Sequence, residues 1–326
     1  MLQVNKSVAK LAQLPLAMLR GLGWLLGLAM YYLRSTVRRI VEVNVFLTKP
    51  GMPLDKQLAL TRSTLGHIGM AMMESFWVWL KTDRAVARAM PDTEINRQNV
   101  SKIREIMAQG PAVFLSVHGA NQEMLACWLA DIGQDLDTKV AILYTPLRPR
   151  TRFKVWLENL RPWRTRLNLI AVDQGVLAVR HLYKHINSGG SVILLPDLNP
   201  NMGAGKWKFL YKHVIRAPQL PEKIVQLPAI QTVVWCWVER TPRGFQLQVR
   251  DSSLNTLAKQ KRSTRLPNEP DLIDHLLAEM EQVIDQLGPQ YSFWAYKRFR
   301  FDANKQAVFN SYARDTARTL LAQRRQ

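Results

Sequence analysis

AVFLSVHGANQE, residues 112–123, reads as a short continuous apolar run, a small-residue turn and the opening of a helix. The run AVFLSV is too short for a typical helix and carries no charge, which predicts a strand buried on both faces. His118 closes it, Gly119 and Ala120 make the turn, and a helix is expected near 121–131. Working outward, the same grammar repeats. A helix near 96–109 precedes the run. KVAIL (139–143), a helix near 150–160, LNLIAV (167–172), a helix at 174–187 and SVILLP (191–196) follow it. Apolar runs alternating with helical stretches predict an α/β fold, a largely parallel central sheet flanked by helices.

Beyond Pro196 the pattern turns irregular through Asn199, Pro200 and Gly203, then basic and aromatic at KWKFLYKHVIR. Two more strands, AIQTVVWCWVE and FQLQVR, are joined by TPRG, a hairpin turn. A polar linker at 252–268 leads to a helix at 271–287, and the last 25 residues read as a basic helical tail. Upstream, Leu54 to Leu80 has helical spacing and ends in a Met- and Trp-rich cluster that suits a core or an acyl-chain tunnel.

Residues 14–33, LPLAMLRGLGWLLGLAMYYL, hold one charge, Arg20, and are flanked by Lys6 and Lys10 before and Arg34, Arg38 and Arg39 after. The uninterrupted apolar part, 21–33, is about 20 Å long as a helix, against about 30 Å of hydrocarbon. Both a short tilted span and an interfacial helix fit, so residues 1–39 are read as a membrane anchor and 40–326 as one catalytic domain. The trailing basic residues favour a domain facing the cytoplasm.

The chain has 326 residues, 47% hydrophobic, with 45 Lys plus Arg against 25 Asp plus Glu, a formal charge of +20. Such a field attracts anionic lipid, an acidic carrier protein or nucleic acid. Basic residues are scattered rather than striped and no nucleic-acid motif occurs, so nucleic acid is not expected as a partner. Two cysteines, Cys127 and Cys236, supply no disulfide framework or Cys-rich zinc site. His181 and His185 share a helix face but lack a third ligand nearby, and read as solvated side chains on the helix surface.

Among the six histidines only His118 has a carboxylate, Glu123, five positions on. That spacing alone is weak. The strand-end position adds to it, because open α/β sheets place their reactive groups there. Glu123, early on the next helix, is expected to fold back on the imidazole, fix its tautomer and stabilise the imidazolium. The neutral ring then takes a proton from a hydroxyl attacking a thioester. A plain helix-capping histidine is the competing reading of the same residues.

The segment VHGANQE resembles the His-x-x-x-x-Asp/Glu box of the bacterial lipid A late acyltransferases, the lauroyl and myristoyl transferases, whose usual form is HFGNWE; His118, Asn121 and Glu123 match it. The apolar N-terminus, YTPLRP (144–149), the Arg-rich RPWRTR, LLPD ending at Asp197, and QYSFWAYKRF follow in the family's order, covering about 15–301. Gly119 and Gln122 replace the box's Phe and Trp, Thr145 stands at an arginine position, and the PDxD pattern reads PDLN. These departures mark a divergent member.

The resemblance implies a glycerolipid-acyltransferase-like fold and an inner-membrane enzyme facing the cytoplasm. It implies an acyl carrier protein thioester as donor, a phosphorylated glucosamine lipid as acceptor, and no metal or other cofactor. It implies His118 and Glu123 as catalytic, Asn121 as positioning or helix-capping, and Arg161 or Arg164 as binding an acceptor phosphate or polarising the thioester. It also implies Asp197 as substrate-binding, while Trp294, Lys297 and Arg298 pack or bind a headgroup. Another lysolipid or glycolipid acceptor, or a non-catalytic basic membrane or nucleic-acid-binding protein, remain the alternatives.

Overall fold

The structure is a computed structural model that describes residues 14–80, 86, 89–144, 167–198, 205–260 and 271–296. The helix expected near 150–160, Arg161, Arg164, most of YTPLRP, Lys297, Arg298 and the basic tail lie outside the described residues.

Three helices come first: α1 (Leu16–Tyr32), α2 (Thr36–Thr48) and α3 (Leu54–Leu80). The rest of the chain is built as α4 (Glu94–Ala108), β1 (Ala112–Leu115), α5 (Gln122–Asp135), β2 (Val140–Tyr144), β3 (Leu167–Ala171), α6 (Val176–Asn187) and β4 (Ser191–Leu194). Then come β5 (Gly205–Leu210), β6 (His213–Pro218), α7 (Leu220–Val225), β7 (Thr232–Thr241), β8 (Gly244–Asp251), α8 (Leu254–Gln260) and α9 (Leu272–Leu287). Six strands form one sheet in the order β3-β2-β4-β1-β7-β8, all parallel except the β7–β8 pair at one edge.

Alternation along the strands divides the core in two. Val113, Leu115, Val192, Leu194, Val233 and Trp235 face α2, α6 and α9. Ala112, Phe114, Ile193, Val234 and Cys236 face α4 and α5. The expected α/β class, with a largely parallel sheet flanked by helices, is what forms.

One stretch gains an element that the sequence does not signal, and two local readings need correction. KWKFLYKHVIR builds a separate two-stranded antiparallel hairpin, β5–β6, whose tip residues Tyr211 and Lys212 both have positive φ. Such a turn matches strand twist, but neither residue type signals it in sequence. The linker at 252–268 contains α8. His185 is buried rather than on the surface, with Nε2 2.9 Å from the Ser191 carbonyl and Nδ1 3.0 Å from Asn168.

No single described helix is long and apolar enough to cross a membrane; α1 and α2 pass that test only together, and they are bent by 82° at their junction. α1 packs along α3 at backbone distance. A Cβ on Gly23 would stand 2.6 Å from the Gly69 carbonyl oxygen, and Gly27 meets Leu65 and Gly66 just as closely.

Arg20 of α1 turns inward. Its Nε donates to Glu74 Oε1 at 2.6 Å, and its Nη atoms donate to the carbonyls of Thr241 and Gly244 at 2.8 Å each. Glu74, fully buried on α3, also takes a bidentate pair from Arg240 of β7 at 2.8 and 2.7 Å. Two cations thus share one buried carboxylate, and removing it leaves both uncompensated. Glu74→Gln is expected to lower unfolding free energy by about 3–5 kcal/mol, measured by urea titration; a loss under 1 kcal/mol would contradict this.

His67 accepts from Arg240 Nη1 at Nδ1, 2.7 Å away. Burial, and then the charges of Arg240 and Arg20, push its pKa down to about 4 from 6.5. The unfolded chain therefore binds the His67 proton first. Its contribution to stability is complete above about pH 6.5 and falls as pH drops toward 4, by on the order of 3 kcal/mol. His67→Gln is expected to flatten that part of the stability-versus-pH curve, read from urea midpoints at each pH.

Candidate active site

The site grows from one register. β1 and β4 are parallel neighbours in which Leu115 pairs with Leu194, and the Ser116 N–H donates to the Leu194 carbonyl at 2.9 Å. Three residues past that pair on each chain stand His118 and Asp197. The two chains leave the same sheet edge side by side and each then turns, with the Gly119 N–H donating to the Val117 carbonyl at 2.6 Å around His118 and the Leu198 N–H donating to the Leu195 carbonyl at 3.4 Å around Asp197, which brings the two residues into contact although they are 79 positions apart.

The contact is a clamp. The His118 backbone N–H donates to Asp197 Oδ2 at 2.8 Å, while the ring Nδ1 lies 2.9 Å from Oδ1 and 3.1 Å from Oδ2. The Asp197 side chain is fully buried, whereas that of His118 keeps 13% of its surface open. A carboxylate accepts only, so the neutral ring carries its proton on Nδ1 and Nε2 is left with its lone pair. That is the geometry of a general base held in one tautomer.

The imidazole is also held by its face. Phe293 stacks on it with centroids 3.7 Å apart and planes within 6°. The His118 carbonyl accepts from the Ser292 N–H at 2.8 Å and from Ser292 Oγ at 2.6 Å. The segment carrying Ser292 and Phe293 is pinned in turn by Asn44 of α2, whose Nδ2 donates to the carbonyls of Trp294 and Tyr296 at 2.7 and 2.8 Å. Trp294 is buried and donates from its indole N–H to the Gly288 carbonyl at 3.0 Å, so it packs the chain rather than facing solvent.

The turn after His118 is equally constrained. Arg240 Nη2 donates to the Ala120 carbonyl at 2.9 Å, which joins the turn to the buried Glu74 cluster. Asn121 is the N-cap of α5; its Oδ1 accepts from the N–H groups of Glu123 and Met124 at 3.1 and 3.3 Å. The capping reading of Asn121 is therefore the one its geometry meets. Glu123 sits half-buried in the first turn of α5.

The carboxylate on Nδ1 belongs to Asp197, where the sequence pattern had pointed to Glu123. Proximity in sequence favoured Glu123; strand register, invisible in a spacing count, favours Asp197. Phe293, Ser292, Asn44 and Arg240 were missed altogether. The aromatic QYSFWAY stretch was a usable signal for Phe293, but nothing local in the sequence links Arg240 or Asn44 to this turn.

The family described as bacterial lipid A biosynthesis acyltransferase matches residues 4–301. The chain belongs to that family. Among curated proteins none matches it. The chain is therefore an acyltransferase enzyme, and its family implies an acyl donor and a lipid acceptor.

The fold also explains one departure of this acyltransferase from the usual HFGNWE box. A Cβ at Gly119 would stand 2.7 Å from Leu287 Cδ1, so α9 fills the space that a larger residue needs. Gly119→Phe is expected to cost about 1–3 kcal/mol through overpacking. Leu287→Ala in the same chain should recover part of that loss in a double-mutant cycle. Strictly additive costs would show that the two side chains do not compete.

Proposed function

We propose that this acyltransferase moves a fatty acyl chain from an acyl carrier protein thioester to a hydroxyl of a lipid A precursor, with His118 as general base. The clamp on Nδ1 by Asp197 carries this reading, because it leaves Nε2 as the only basic atom of the ring. Nε2 takes the proton of the acceptor hydroxyl as its oxygen attacks the thioester carbon. The C–S bond then breaks and the carrier thiolate leaves, taking the proton from Nε2 and returning the ring to its neutral form. No covalent enzyme intermediate and no cofactor beyond the thioester co-substrate are needed. Asp197 keeps the ring oriented and stabilises the imidazolium through the attack.

Glu123 stays in the proposal as the second carboxylate of the site, set at the positive end of α5 and beside the cap made by Asn121. Arg161 or Arg164 is proposed to bind an acceptor phosphate or to polarise the thioester carbonyl. The formal charge of +20 suits an acidic carrier protein, phosphorylated lipid and the inner face of an anionic membrane. We place the enzyme at the inner membrane with its catalytic domain toward the cytoplasm. A different lysolipid or glycolipid acceptor is favoured by one observation, the departure of the box at Gly119, Ala120 and Gln122.

His118→Ala should abolish turnover with labelled acyl carrier protein while the folded fraction stays unchanged. Asp197→Asn should lower kcat by about 10³- to 10⁴-fold with little change in KM, as loss of an orienting carboxylate does. If Glu123→Gln shows that loss and Asp197→Asn does not, the orienting role passes to Glu123. Mass spectrometry of lipid A from a deletion strain should show one acyl chain missing. An unchanged pattern would remove the lipid A acceptor and leave another lipid to be sought with the same labelled donor.

A further inference from the structure

α1 is apolar on both sides, and only one side is covered. Leu19, Gly23 and Gly27 lie buried. Met18, Leu22, Leu25, Leu26, Tyr32 and Leu33 are exposed, Leu25 by 61% and Leu33 by 81%. Gly21 and Ala29 complete the row at helical spacing, so that it runs the length of the helix without a charge. Met72 of α3 is a further exposed apolar side chain, on the helix that α1 packs against. A helix that faces water carries its charges outward. The single charge of α1, Arg20, is turned inward onto Glu74.

The same contacts prevent α1 from leaving the body of the protein. Gly23 and Gly27 meet Gly66, Gly69 and Leu65 at distances that no larger residue permits. Arg20 gives three hydrogen bonds to α3 and to the β7–β8 hairpin. At 17 residues α1 is about 25 Å long, short of the roughly 30 Å of a hydrocarbon core. α2 then turns away by 82° instead of extending it. At the end of the row Arg34 and Arg39 are exposed.

We propose that α1 lies in the plane of an anionic bilayer surface, its outer row sunk into the boundary between headgroups and acyl chains, and that it does so as a fixed part of the catalytic body rather than as a detached span. This rests on the membrane association proposed above and adds its geometry. Apolar area supplies the insertion, while Arg34, Arg39 and the net charge of +20 select negative headgroups. Arg20, Glu74 and Arg240 connect α1 to the Ala120 carbonyl, so the surface that rests on lipid is tied rigidly to the turn that carries His118.

The test uses the full chain. Wild type should cosediment with vesicles containing phosphatidylglycerol and bind pure phosphatidylcholine vesicles at least 10-fold less. Leu22→Glu with Leu25→Glu, both at exposed positions, should lower binding to the anionic vesicles at least 10-fold without moving the melting temperature. Gln3→Cys and Arg39→Cys, made singly in a protein whose native Cys127 and Cys236 are buried, should both react with an impermeant maleimide in inside-out inner-membrane vesicles. Neither should react in right-side-out ones.

Reaction of the two positions from opposite faces, with binding intact, would overturn the in-plane arrangement and leave membrane association standing. Equal binding by the double variant would overturn the docking row. Failure of wild type to bind any vesicle would remove the membrane reading itself. A wild-type dimer that the double variant dissolves, with no vesicle binding, would assign the row to a second copy of the chain.

Discussion

The site depends on the parallel pairing of β1 with β4. A parallel pair sets two chain segments of distant sequence side by side and releases both at the same sheet edge. With Leu115 opposite Leu194, His118 and Asp197 leave that edge together. Each chain turns just past its strand, and the two turns bring the side chains together. The buried carboxylate in turn needs its donors, the His118 backbone N–H and ring Nδ1, because an uncompensated charge at that depth is costly. Fold and chemistry thus rest on one contact.

Around that contact the support is built from distant parts of the chain. Phe293 and Ser292 hold the ring and carbonyl of His118, Asn44 holds the segment bearing them, and Arg240 holds Ala120 through a cluster anchored on Glu74. The N-terminal helices are therefore the frame of the site as well as a candidate lipid contact. An imidazole held this way has little freedom left to lose, which is how preorganised groups contribute to rate.

Much of this architecture was legible in the sequence, for identifiable reasons. Apolar runs such as AVFLSV and SVILLP are bounded by helices and turns, and they became β1 and β4; TPRG became the β7–β8 turn. Asn121 was readable as a cap because capping is local. The partner of His118 was not readable, because Glu123 is near in sequence and Asp197 is near only after the strands align. The hairpin β5–β6 was hidden because Tyr211 and Lys212 adopt positive φ without glycine. Arg20 read as a charge interrupting a membrane segment; its partner Glu74 lies 54 residues on, beyond any helical periodicity.

The central claim, that Asp197 holds His118 with the proton on Nδ1 and Nε2 free to act as base, is tested most directly by the ring-nitrogen chemical shifts of His118. These would be recorded on ¹⁵N-histidine-labelled protein at a pH where the ring is neutral. A protonated Nδ1 and an unprotonated Nε2 in wild type, with that preference lost in Asp197→Asn, is the result expected. A proton on Nε2 in wild type, or a tautomer indifferent to Asp197, would contradict the account.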